Sequence, residues 1–94
     1  DNRFAKAWVG IGNTEHRRGN EEEALRVLRK ATVVDPISVE AWYDIGVVME
    51  ALGRDAEAKA HYERALELEP DHVLTLVNLG NLAARVQKEQ EAEE

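Results

Sequence analysis

The sequence predicts an all-α stack of antiparallel helix pairs, and three observations carry that prediction. First, a tryptophan recurs after 34 residues: Trp8 opens Trp8-Val9-Gly10-Ile11-Gly12 and Trp42 opens Trp42-Tyr43-Asp44-Ile45-Gly46. The same offset carries Gly19 onto Gly53, Ala24 onto Ala58, Ala31 onto Ala65 and Pro36 onto Pro70. Nine of the 34 residues 5–38 recur identically in 39–72, where unrelated segments would share about two at average residue frequencies. Second, the apolar spacing is helical throughout: Trp8, Ile11 and Gly12, like Trp42, Ile45, Gly46 and Met49, fall at i, i+3, i+4. Third, glycine and proline punctuate every half-period. A repeat of this length is one helix pair that buries its apolar side by stacking on the next.

The elements follow in order. A first helix is expected near 3–17, stopped by Gly19, since glycine accepts the left-handed backbone found just past a helix end. Asn20 with Glu23 three residues on reads as a capping box opening a second helix, 21–34, which Pro36 ends. A third, 39–52, stops at Gly53. A fourth, 55–68, is capped by Asp55 and ended by Pro70. A fifth is expected near 72–86, although Gln87 stands where the earlier glycines stood, so this helix can run on towards Glu93. Connections of two to four residues force neighbouring helices antiparallel. Gly12, Gly46 and Gly80 are expected where a helix crosses close to its mate, with Ala24, Ala31, Ala58 and Ala65 keeping the other side thin. Trp8, Trp42 and Leu76 are expected to fill the gaps as core, so that Trp42→Ala would cost about 3–5 kcal/mol.

Composition narrows the function classes. The chain has 94 residues and a net charge of −7. It is long enough for one small domain, taken as 1–94 with repeats near 5–38, 39–72 and a partial third over 73–94. Its second repeat carries three basic and nine acidic residues, a balance that repels phosphate backbones and argues against nucleic acid. It contains no cysteine, which fits a reducing compartment, taken as cytoplasmic. No apolar run is long enough to span a membrane. The three histidines fall on different elements; Glu57 with His61 gives only two ligands, so no metal is expected. No nucleophile lies beside a base and no glycine-rich loop awaits a phosphate. No catalytic residue and no cofactor are therefore expected.

These residues resemble the tetratricopeptide repeat (TPR) family over roughly 5–86. The second repeat is most similar, with Trp42, Ile45-Gly46, Gly53, Ala58, Tyr62, Ala65 and Pro70. The first departs at Glu15 and Leu28, and the third at Gln87. The resemblance implies a right-handed superhelix, here two full repeats plus a final helix, that serves protein–protein interaction. It also implies that the first helix of each pair lines a concave groove. From the helical spacing, the residues expected there are Lys6, Val9, Asn13 and Arg17, then Glu40, Tyr43, Asp44 and Val47, then Leu74, Val77, Asn78 and Asn81, with His16, Glu50 and Arg85 beside them. Tyr43→Ala and Asn78→Ala are expected to weaken binding without loss of stability. Some family members grip the C-terminal carboxylate of a chaperone. Their gripping positions fall here on Val9, Asn13, Asp44, Leu74 and Asn78, of which Asn13 alone fits, and Asp44 would repel a carboxylate. A protein or peptide ligand other than a chaperone tail is thus expected. The alternative is a self-assembling scaffold segment. Residues 73–86 are apolar on more than one side, and Leu76, Leu79, Leu82, Ala83 and Val86 are expected to be covered by a second copy, most simply as a two-fold dimer, or by a missing partner such as the next unit of a longer array.

Overall fold

The computed structural model describes residues 3–93; the expected 1–94 bounds include three residues outside that range. Five helices follow one another: α1 Arg3–Arg17, α2 Glu21–Val34, α3 Val39–Ala51, α4 Asp55–Leu68 and α5 Val73–Glu93. Among the described residues there is no strand. α1 pairs with α2 and α3 with α4, and α3 bridges the two pairs by packing on both α1 and α2. The molecule is elongated, 49 × 29 × 17 Å.

Helix ends follow from local chemistry. Gly19 and Gly53 adopt φ of 83° and 76°, and the amides just beyond them reach back to the last turns, Asn20 N–H to the Glu15 carbonyl and Arg54 N–H to that of Met49, both 2.8 Å. The start signals differ from expectation. Asn20 makes no side-chain cap, because its amide donates instead to Glu15 Oε2 at 2.8 Å. Asp55 is the first helical residue rather than the cap, and its carboxylate is taken by Arg85. The side-chain cap lies at Ser38, whose hydroxyl accepts from the Ala41 N–H at 3.3 Å. With Gln87 in the turn position, α5 runs 21 residues without a break.

The core forms where small residues let helices close. Ala24, Ala31, Ala41, Ala58 and Ala65 are fully buried, with Leu28, Ile45, Met49 and Tyr62 filling the space between them. Gly12 lies under Leu28, where an added Cβ would come within 2.6 Å of the side chain, and Gly46 lies under the Tyr62 ring. The third glycine breaks the pattern: a Cβ on Gly80 would meet nothing within 4 Å.

The tryptophans are not core. Trp8 and Trp42 are half-buried. Lys30 sits 4.9 Å over the Trp8 ring; Trp42 stacks on His61, lies under Arg64 and donates its indole N–H to the Pro36 carbonyl at 2.8 Å. Each ring therefore fastens its helix to the next while keeping one edge in water, and the cost of Trp42→Ala falls to about 2 kcal/mol. Ile11 and Leu76, also expected inward, are 46 % and 47 % exposed.

Candidate functional site

α1, α3 and α5 lie side by side as one layer, with α2 and α4 behind. Side chains stitch the layer across its seams. Between α1 and α3, Asn13 faces the half-buried Asp44 carboxylate and favours its charged form. Between α3 and α5, Asn78 Nδ2 donates to the Tyr43 hydroxyl at 3.2 Å and reaches the Tyr62 hydroxyl of α4 at 3.4 Å. The Tyr62 hydroxyl donates to Glu50 Oε1 at 2.6 Å. Glu50 Oε2 accepts from Arg85 at 2.9 Å, and Arg85 also grips Asp55 at 2.7 and 3.2 Å. A continuous polar chain thus links Tyr43, Asn78, Tyr62, Glu50, Arg85 and Asp55 over three helices. The Tyr43 ring meets Tyr62 at 6.0 Å and His72 edge-on at 5.5 Å, and His72 Nδ1 contacts the hydroxyl of the fully buried Thr75 at 2.6 Å.

Electrostatics single out Asp44. Loss of water pushes its carboxyl up from an ordinary 3.8 to about 6, Glu40 adds to the rise, and Asn13 and His16 oppose it. Burial likewise raises both tyrosines, and the Tyr62 hydroxyl rises further because Glu50 accepts its proton-bearing form. Among the described residues no three His, Asp or Glu side chains converge as a metal site, and no helix is long and apolar enough to cross a membrane.

The twelve residues expected to line a groove do not form one exposed surface. Val9 is a correction: at 5 % exposure it belongs to the core, packed where α1 meets its neighbours. Asn13, Tyr43, Asp44 and Asn78 lie together but half-buried in the seams. Tyr43 and Asn78 also carry packing and hydrogen bonds, so alanine at either would cost stability, contrary to expectation. Val47 is half-buried against the core. Lys6 and Glu40 line a small cavity of about 320 Å³ beside the α2–α3 turn, with Glu40 near enough to act on the Asp44 carboxyl. Arg17 and Asn81 are exposed, and Leu74 and Val77 are exposed at 58 % and 53 % on the side of α5 that faces α3. Leu82 is a second correction. It is 2 % exposed and packs into this chain's own core, leaving at most an edge at the surface; Leu76 and Ala83 are exposed, and Leu79 and Val86 half-buried.

The role of Tyr62 was missed. Its ring occupies the core position that Leu28 fills in the first pair, and packing alone explains an aromatic there. The one signal in the sequence is that a buried phenol needs a partner, and Glu50 lies a helix turn from the Gly53 corner.

Comparison with known proteins agrees with this architecture. The Tetratricopeptide repeat family matches residues 39–72 and the TPR repeat family residues 12–53. The chain is 38 % identical over 83 residues to human Protein O-mannosyl-transferase TMTC1, aligning over 88 % of its own length and 9 % of that protein's. It is 36 % identical over 63 residues to Tetratricopeptide repeat protein 8 of Caenorhabditis elegans, over 67 % of this chain and 12 % of that one. Among solved structures, MamA 41-end from Desulfovibrio magneticus RS-1 superposes with a TM-score of 0.84 at 27 % identity, covering 96 % of this chain and 51 % of that one. The second TPR of Spaghetti (RPAP3), bound to the HSP90 peptide SRMEEVD, superposes at 0.87 with 16 % identity over 98 % and 85 % of the two chains. The 34-residue repeat, the glycine-cornered helix pairs and these matches lead to one conclusion: the chain belongs to the tetratricopeptide repeat family, a non-catalytic helical repeat fold.

Proposed function

We propose that the chain is a protein–protein interaction module that holds an extended peptide, or a partner's segment, against the layer formed by α1, α3 and α5. The observation that carries this reading is the pair Leu74 and Val77, more than half exposed beside the fixed Tyr43–Asn78 link. A rigid polar seam next to an open apolar strip offers an anchor point with little ordering cost. Leu74 and Val77 take an apolar side chain. Asn81 offers its amide donor and acceptor to the ligand's main chain. Glu40 and Asp44 favour a basic residue, which would relieve the charge that Asp44 bears with so little water. The acidic end of a chaperone tail meets the wrong sign there. The likeness to the peptide-bound RPAP3 domain supports the capacity of this fold to hold a peptide, and its identity is too low to pass on that ligand.

A peptide library displayed against the chain, followed by fluorescence anisotropy, tests the reading. Selected peptides are expected to be apolar and net basic, and the peptide SRMEEVD is expected not to bind. Val77→Asp is expected to weaken the selected peptides by about tenfold or more while leaving the melting curve in place, because the side chain stands in solvent. Binding indifferent to Val77→Asp, or a library that returns acidic peptides, overturns it.

A further inference from the structure

We infer that α5 carries, on the side away from the peptide face, a docking groove for α5 of a second copy, and that two copies close around it as a two-fold, antiparallel pair. The inference is independent of the peptide reading. It begins with Gly80. In the first two pairs the equivalent glycines lie under a large side chain of the mate helix, Leu28 over Gly12 and Tyr62 over Gly46, whereas Gly80 faces open space. Beside it runs a groove of about 720 Å³ between α4 and α5, floored by Leu79, Leu82, Ala83 and Val86 and edged by Asp55 and Lys59. Its α5 wall includes 79, 83, 86 and 90, and with Leu76 one turn before the groove they form a seam of alternating steps of three and four. This is the spacing of a helix that packs along another helix.

The same stretch of two copies can meet antiparallel, with Leu79 falling opposite the stem of Gln87. Antiparallel pairing centred on Ala83 sets a small side chain against its own copy, so the backbones can approach closely. It also sets Val86 of each copy opposite Gly80 of the other. That contact reproduces, twice by symmetry, the Leu28–Gly12 and Tyr62–Gly46 contacts inside the chain. Leu76 falls opposite Gln90, at the wet ends of the seam. Charge agrees. α4 runs antiparallel to α5 with Asp55 beside Arg85, so the two-fold brings the first turns of the two α4 helices together. Lys59 of each then points toward Asp55 of the other, with the small residues Ala56 and Ala60 between them. The result is a four-helix bundle of α4 and α5 from both copies, closed by an interface that uses one patch twice.

Sedimentation velocity on the full chain from about 1 to about 300 µM tests this, since mass action drives a self-pair with concentration. The mass is expected to rise to twice the 10.6 kDa chain and stop there. Gly80→Leu is the discriminating variant: nothing near Gly80 resists a larger side chain within one copy, so helicity and melting at low concentration hold, while the dissociation constant rises about tenfold or more. The chain lacks cysteine, so Ala83→Cys provides a second readout, and under oxidation it is expected to give a covalent dimer where Ala84→Cys does not. A monomer throughout the range, growth past two copies, an unaltered dissociation constant for Gly80→Leu, or equal cross-linking of Ala83→Cys and Ala84→Cys overturns the inference.

Discussion

Single residues decide how closely these helices pack, and three glycines placed alike in the sequence behave differently in the structure. Gly46 touches the Tyr62 ring, so Gly46→Ala must displace a fully buried aromatic and is expected to cost about 1–3 kcal/mol. Gly80 touches nothing, so Gly80→Ala trades a floppy helix residue for the best helix former and is expected to gain up to about 1 kcal/mol. Paired thermal melts check both; equal effects would refute the packing account. Asp44 sets a pH dependence. Its carboxyl titrates near 6 in the fold and near 3.8 when unfolded. Below about pH 4 both states hold the proton and the group is neutral to stability. Between about 4 and 6 only the folded state holds it, so stability falls as pH rises through that window and stays lower at neutral pH. Asp44→Asn keeps the shape of the side chain without the charge. Discounted for partial exposure, it is expected to stabilise the chain by about 1–2 kcal/mol at pH 7 and to change it little at pH 4. Denaturant midpoints at the two pH values measure this, and an equal effect at both refutes it.

Whole elements show how far the sequence reaches. The first four helices end within a residue of where Gly19, Pro36, Gly53 and Pro70 place them, because those residues act locally and need no partner. Starts fall within a residue of expectation too, but not through the expected capping side chains. Asn20 and Asp55 have the right chemistry for caps, but each was claimed by a residue that the fold brings near: Glu15 across the turn, Arg85 from 30 positions away. The seams between α1, α3 and α5 were legible as a list of nearby residues but not as bonds. Helical spacing fixes which way a side chain leaves its helix, not which of three helices it meets. Val9 and Leu82 mark that limit, since both sit at the boundary between an inward stripe and an outward one, and a rotation of a few tens of degrees decides their burial. Tyr62 tests the network that holds α5. Tyr62→Phe keeps the ring over Gly46 and removes the hydroxyl that links Glu50 to Asn78. A loss of about 1 kcal/mol is expected in urea titration, and it should shrink when Asn78 is already alanine, because the two share one network. Additive losses would show that the network is not coupled.

At the scale of the molecule, the arrangement is a ladder whose last rung is fastened on one edge only. α5 is about 30 Å long, and its fastenings are all in its first two-thirds: His72–Thr75 at its start, Asn78 and Leu82 in the middle, Arg85 and Val86 beyond. From Gln87 to Ala92 every residue is exposed, and the side-chain bonds of that stretch among the described residues are i, i+4 contacts such as Gln87–Glu91 and Arg85–Glu89. Opening of such a segment need not break anything else. Amide deuterium uptake should therefore form a gradient along one continuous helix, fast beyond Gln87 and slow before Asn78. No boundary in the secondary structure marks the change, so the step in exchange rate would report where the body of the protein ends and a projecting rod begins.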